Sequence, residues 1–409
     1  MKVALLYNHL NSSVAPQTTI TYLYSFGKFS KHDIYYFDLS VIKSYDFSNF
    51  DCLVFHYYGQ VYCKLQDSLR SAIRNFQGLK VFFAQDEYDN LTQMRERYVD
   101  LEVDVLFSAC ANLKNQDLLY PKSLLPNLKI ESVLTGYVDS GMKYFETPMK
   151  EKKLDVFYRG NSVGLAYGNL GYEKFEIGVK FKELAGRYNL KIDIEVDIKK
   201  QIYGSQYYKM ISSARAVLVT ESGSSIACFT LEEQKLRSDV INNIKQNKFL
   251  EELKVQFSNF FKNEGNIVVN VISPKVFEAI ACKTAIIGYE GEYSGVIKPN
   301  VHYIPLKKDW SNIEEVISKL KDDNYLQELV ERAYNDIILS KKYTYESFIQ
   351  FVDERLDYYF TSLNRKKGKI SKITLTPLKT KYKKFFNISL FFNIVLLIAL
   401  TMILSFIYV

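Results

Sequence analysis

Twice along this chain, apolar runs of strand length alternate with helix-patterned stretches. No other feature limits the fold as much. In the first 140 residues the candidate strands are Val3–Tyr7, Ile34–Phe37, Cys52–His56, Leu79–Ala84, Val103–Phe107 and Ile130–Leu134, and helical patterns fall at Lys64–Phe76 and Asn90–Val99. Strands joined through helices form parallel βαβ units, and a parallel sheet is buried on both faces, so its strands read as continuous apolar runs. The pattern predicts a Rossmann-like sheet. Such sheets bind ligands beyond the carboxyl ends of their strands. Those ends carry Asn8 and His9, His56 and Tyr57, and Gln85, Asp86 and Glu87.

Residues 141–153 (GMKYFETPMKEKK) are polar, charged and without period, and are read as a linker after a first domain of residues 1–140. A second alternating region spans 154–340, with strands at Leu154–Tyr158, Leu190–Ile198, Ala216–Thr220, Ala285–Tyr289 and Tyr303–Leu306. Glu173–Tyr188 is a predicted helix, Leu231–Lys262 a helical hairpin over the second domain, and three helices close the region, the last at Tyr345–Leu363 within 341–364. The fold class is therefore α/β, two Rossmann-like domains facing a cleft. In Leu190–Ile198 the acidic residues Asp193, Glu195 and Asp197 alternate with Ile192, Ile194 and Val196, the signature of a solvated edge-strand face rather than of a metal site. The five cysteines show no C-x-x-C spacing, which speaks against a zinc site and a disulfide framework.

The net charge of +7 is local. Residues 365–387 form a basic segment with nine Lys or Arg and no acid between Arg365 and Lys384, so the remainder sits near −2 and a general nucleic-acid binder is excluded. Ile388–Val409 is 22 residues without a charge. As a helix it would span about 33 Å, the thickness of a bilayer core, so a C-terminal transmembrane anchor is expected. The flank Lys379, Lys381, Lys383 and Lys384 places the body on the cytoplasmic side and draws it to anionic headgroups. Val3–Tyr7 is too short for a signal peptide and is read as the first strand.

No G-x-G-x-x-G follows the first strand, and G-x-x-x-x-G-K-[ST], H-E-x-x-H and Asp-x-Asp are absent. A dinucleotide cofactor, a P-loop and a zinc protease are thereby excluded. The strongest local signal is ISPKVFEAIACKTAIIGY, residues 272–289. Pro274 suits a first helical position. Glu278 lies one turn in, able to accept two ribose hydroxyls or simply to face solvent. Glycines at 288, 291 and 295 permit close backbone approach, and the N–H groups of the loop form either an anion nest or a plain turn. Arg159 ends a strand and Lys174 lies near the start of the next helix. Either cation can meet a diphosphate at the cleft or serve the surface. Glu221, Ser222 and Ser224 follow another strand, as donor contacts or as an ordinary polar loop. Asp86 and Glu87 are candidates for acceptor binding or general-base work, with a structural role open for both.

Several segments together carry a resemblance. They are Tyr158-Arg159-Gly160, Tyr167-Gly168-Asn169-Leu170-Gly171 with Glu173-Lys174, Glu221 to Ser225, Glu264-Gly265-Asn266, Ile272-Ser273-Pro274 with Phe277-Glu278-Ala279, Glu292 to Gly295, and His302 to Asp309. Gln85 to Tyr88 is a weaker match. Between Asp155 and Asn312 the chain resembles bacterial group-1 polysaccharide glycosyltransferases, close to the CgeB-like branch. The resemblance implies the GT-B fold, an acceptor domain followed by a donor domain, and transfer without metal or cofactor from a nucleotide sugar to a surface-polysaccharide or lipid-linked acceptor. Glu278 would hold the ribose. Arg159 and Lys174 would neutralise the diphosphate, with Lys275 standing where the family often has Arg. Glu221, Ser222, Ser224, Gly291, Tyr293, Ser294 and Gly295 would complete the donor site, and the helix within 341–364 would cross back onto the first domain. The expected partners are the nucleotide sugar, the glycan acceptor and the membrane, with no nucleic acid. The alternative is a catalytically silent GT-B scaffold in a membrane-bound assembly complex.

Overall fold

The computed structural model describes residues 1–8, 16–57, 65–139, 145–245 and 250–369. His9, residues 141–144 of the expected linker, residues 370–387 of the basic segment and the expected anchor at 388–409 lie outside them. No helix among the described residues is long and apolar enough to cross a membrane.

The first sheet is built from β1 (Lys2–Tyr7), β2 (Asp33–Asp38), β3 (Cys52–Phe55), β4 (Leu79–Ala84), β5 (Val105–Ser108) and β6 (Lys129–Ser132), in the order β2-β1-β3-β4-β5-β6. Every pairing is parallel. Successive residues point to opposite faces. Val3, Leu5, Val54, Val81 and Phe83 therefore pack with Tyr22 and Phe26 of the helix Gln17–Phe29 and with Phe348, Ile349 and Val352 of the helix Tyr345–Ser362. Ala4, Leu6, Leu53, Phe55 and Phe82 face the helices Asp67–Arg74 and Leu91–Asp100.

The second sheet contains β7 (Leu154–Arg159), β8 (Ile192–Glu195) and β9 (Ala214–Val219). A small antiparallel pair follows, β10 (Ser222–Ser224) with β11 (Val269–Val271). β12 (Ala285–Tyr289) and β13 (Ile304–Leu306) complete the main sheet, whose order is β13-β12-β9-β7-β8, again all parallel. Strand order reverses at β1 in the first sheet and at β7 in the second, and crevices form at such points.

The two halves are joined along more than one line. The helix Tyr345–Ser362 follows the second sheet in sequence but packs in the core of the first. Val138 N donates to Tyr343 O at 2.7 Å, and Ser30 Oγ donates to Asp353 Oδ1 at 2.7 Å. Ala227, Ile267, Val269 and Val271 of the second half belong to an apolar cluster of the first. The region expected as a hairpin over the second domain is three helices, Leu231–Lys245, Leu250–Gln256 and Ser258–Phe261, and the first of them reaches across to the first half through Arg237. After the last helix the chain crosses the amino ends of the first sheet. There Gly368 N donates to Asp51 Oδ1 and Lys369 N to Ser48 O, both at 2.8 Å.

Candidate functional site

Arg159, at the carboxyl end of β7, has a side chain only 8% exposed. Its Nη1 and Nη2 donate to Asp193 Oδ1 and Oδ2 of β8 at 2.8 and 2.9 Å, and the guanidinium lies 4.7 Å from the Phe157 ring centroid. The expected free cation is therefore matched by a carboxylate of its own sheet. Asp193 lies on the edge strand β8, its side chain 31% exposed, and its carboxylate is spent on Arg159. The sequence signal for the pair was an acid on the neighbouring strand, but the register that places Asp193 beside Phe157, diagonal to Arg159, cannot be read from one sequence.

Two lysines carry the charge that remains. The helix Pro274–Ala281 starts at Pro274 as expected, and Lys275 on its first turn donates Nζ to Arg159 O at 2.9 Å, 4.3 Å from the Tyr158 ring centroid. Burial, reinforced by nearby Lys174, lowers its ammonium to about 7. Lys174 stands on the helix Gly168–Ala185. Burial lowers it too, opposed by Asp86 from across the cleft. Arg159, Lys174 and Lys275 line a cavity of about 290 Å³ together with Thr220, Ser273 and, from the first half, Pro16. Glu278 is buried one turn beyond Lys275, and its carboxyl makes no hydrogen bond among the described residues. Burial raises it to about 7, opposed by Lys275.

Lys174 also lines a second cavity of about 140 Å³, with Gln85, Asp86, Thr135, Ser222 and Pro274. Asp86 holds a left-handed backbone (φ 53°), uncommon outside glycine, which turns it out of the end of β4 into solvent. Its Oδ1 accepts from Tyr88 Oη at 2.6 Å. Gln85 Nε2 donates to Thr135 O at 3.0 Å and Thr135 Oγ1 donates to Ile272 O, which ties the acceptor-side loop to the start of the site helix. Lys174 is the wall between the two cavities.

Other expected site residues are engaged by the protein itself. Glu87, 1% exposed, also lines the second cavity, and it accepts from Ser108 Oγ, from Tyr120 Oη at 2.8 Å and from Cys110 N at 3.1 Å, so it braces the first half. Ser224, fully buried, donates to Tyr167 O and Ile226 O. Tyr293, fully buried, donates Oη to Tyr289 O at 2.6 Å. Neither touches a cavity described above. Glu221 corrects the expected anion nest: its Oε1 accepts from Glu292 N at 3.1 Å and Tyr293 N at 2.8 Å, and Asn270 Nδ2 donates to both its oxygens. The nest holds the protein's own carboxylate. A Cβ at Gly291 would stand 2.8 Å from the Glu221 carboxyl and would push it off these N–H groups. Gly295 N donates back to Glu292 O, and Ser294 Oγ accepts from Ile272 N at 3.0 Å, so this loop braces the site helix. Glu221→Ala is expected to lower the folding free energy by about 2 kcal/mol in urea denaturation, since two backbone N–H groups and an amide lose their acceptor. An unchanged midpoint would mean that water replaces the carboxylate at no cost. Sequence reasoning also missed Asn270, Gln201 and Tyr203, polar or aromatic residues with no periodic signal.

No family model matches the chain and no curated protein matches it. Among solved structures it is similar to the T4 phage beta-glucosyltransferase (13% identity, 89% of this chain and 98% of that one, TM-score 0.44). It is also similar to an alpha-glucosyltransferase in complex with UDP and a 13-mer DNA (12%, 87% and 99%, TM-score 0.49). A third is a glycosyltransferase from Rickettsia africae (11%, 87% and 98%, TM-score 0.46). With these TM-scores below 0.5, the two-sheet architecture rests on the chain's own strand order.

Proposed function

We propose that the chain is a glycosyltransferase that moves a sugar from a nucleoside-diphosphate donor to a glycan or lipid-linked acceptor at the cytoplasmic face of a membrane. The observation that carries this reading is Lys174, shared between a cation-lined cavity at the carboxyl ends of β7 and β9 and a polar cavity under Asp86 at the end of β4. A diphosphate in the first cavity would have its developing charge met by Lys174 and Lys275, with Glu278 beside them. An acceptor hydroxyl in the second would lie beside Asp86, which would take its proton. The lysines supply charge neutralisation without a metal ion. Residues 388–409 would anchor the chain.

The test is calorimetric titration of the full chain in detergent with UDP, GDP and ADP, with and without chelator. UDP is the natural first probe, because the alpha-glucosyltransferase above was solved with it. Saturable, chelator-insensitive binding of one diphosphate, weakened roughly tenfold in Lys174→Ala, is expected. Absence of binding across the panel would overturn the donor site and leave the scaffold reading.

A further inference from the structure

The cation-lined cavity has an apolar part that the phosphate reading does not use. Ile198 and Tyr203 both line it, and their side chains are left 44% and 45% exposed. Large apolar groups kept in solvent beside a charged cavity ask for an occupant with a flat apolar face. The wall is held in place. Gln201 Nε2 donates to Gly160 O at 2.6 Å, tying the loop to the end of β7. The turn at Ile198 is capped by Asp197, whose Oδ1 accepts from Lys199 N at 2.9 Å. Tyr203 has an extended backbone directly before the helix Gly204–Ser212, and Gly204 (φ +63°) makes the turn that a side chain would resist. Sheet order β9-β7-β8 sets this loop on the β8 side of the cavity and Thr220 on the β9 side. The lining thus carries two chemistries, a charged one of Lys275 and Lys174 and an apolar one of Ile198 and Tyr203.

We propose that Tyr203, with Ile198 beside it, stacks on the base of a nucleoside diphosphate, so that a nucleoside is selected over bare pyrophosphate at this wall. The inference rests on the donor reading above and deepens it. Stacking of a base on an aromatic ring contributes enough to change affinity roughly tenfold. Tyr203 is exposed, and its replacement leaves the core untouched.

The experiment is titration of the full chain in detergent with the nucleoside diphosphate it prefers among UDP, GDP and ADP, and separately with pyrophosphate. Wild type, Tyr203→Ala, Tyr203→Phe and Lys275→Ala are compared. Tyr203→Ala is expected to weaken the nucleoside diphosphate roughly tenfold and to leave pyrophosphate unchanged. Tyr203→Phe keeps the ring and should bind as wild type, and Lys275→Ala should weaken both ligands. Equal affinity of wild type and Tyr203→Ala for the nucleoside diphosphate, or an equal loss for both ligands, overturns the stacking role while the donor site stands. Failure of wild type to bind any of the four ligands overturns the donor site and this inference with it.

Discussion

Arg237→Met is expected to lower the free energy of folding by about 3–5 kcal/mol. Arg237 is fully buried on the helix Leu231–Lys245. Its Nε donates to Ala166 O at 3.2 Å, Nη1 to Tyr88 O at 2.9 Å and to Asp89 Oδ1 at 3.2 Å, and Nη2 to Ile226 O at 2.6 Å. The guanidinium lies 4.9 Å from the Tyr167 ring centroid and 5.9 Å from that of Phe260. Ala166 and Ile226 belong to the second half of the chain, Tyr88 and Asp89 to the first, so one side chain satisfies acceptors from both. Methionine matches much of the volume and restores none of the donors. It leaves the Asp89 carboxylate without its cation, with Gln234 Nε2 still donating to it at 2.7 Å, and takes a charged donor from three buried carbonyls, which costs more than losing the contact itself. Urea denaturation measures the change. Adding Asp89→Asn to Arg237→Met should recover part of it, because the orphaned charge goes with it. A variant within about 1 kcal/mol of wild type would mean that water reaches these acceptors and that the halves are held by their apolar contacts alone.

Arg237 also marks where the sequence stops being informative. It stands in a run with Glu232, Glu233, Lys235 and Asp239, and nothing in that spacing separates the buried cation from its solvated neighbours. The strands are a different case. A strand covered on both faces must be apolar throughout, so β4 and β12 stand where the sequence places them, at Leu79–Ala84 and Ala285–Tyr289. β10 had no such signal. Ser222-Gly223-Ser224 pairs with β11 because Gly223 (φ +130°) lets the chain approach so closely that a Cβ would lie 1.7 Å from Val269 O.

For the site, the sequence indicates which residues reach the carboxyl ends of strands. It does not indicate which carboxylates are already spent there. Asp86 and Glu87 are adjacent and both line the second cavity, but Asp86 is exposed while the Glu87 carboxyl is taken by Ser108, Tyr120 and Cys110. Glu221 follows β9 as a donor contact would, and is taken by backbone N–H groups 71 and 72 residues away. Pairings at that separation depend on how the sheet and its loops pack, and local pattern carries none of it.

The buried member of the Asp86–Glu87 pair sets the second large expectation, a fall in stability of about 3 kcal/mol as the pH rises from about 4.5 to 7. Burial raises the Glu87 carboxyl from its ordinary 4.5 to about 7, against the opposing hydrogen bonds from Ser108, Tyr120 and Cys110. In this interval the folded chain keeps a proton that the unfolded chain releases. The contribution is fully present below 4.5 and is lost as the pH rises through about 7. The surroundings accommodate the protonated form. Glu87 can donate to Ser108 Oγ while Ser108 donates to Cys110 O at 3.3 Å. Glu278, also raised to about 7, adds a slope of the same sign, so wild type alone does not isolate Glu87. Glu87→Gln does, because the amide stays neutral across the range and keeps one acceptor oxygen, for Tyr120 Oη or for Cys110 N, so its own cost is the same at every pH. Measured by urea denaturation at pH 5 and pH 8, the stability advantage of wild type over Glu87→Gln should shrink by about 3 kcal/mol toward the higher pH. An advantage that stays constant across the range would show the carboxylate ionised throughout, its three donors outweighing burial.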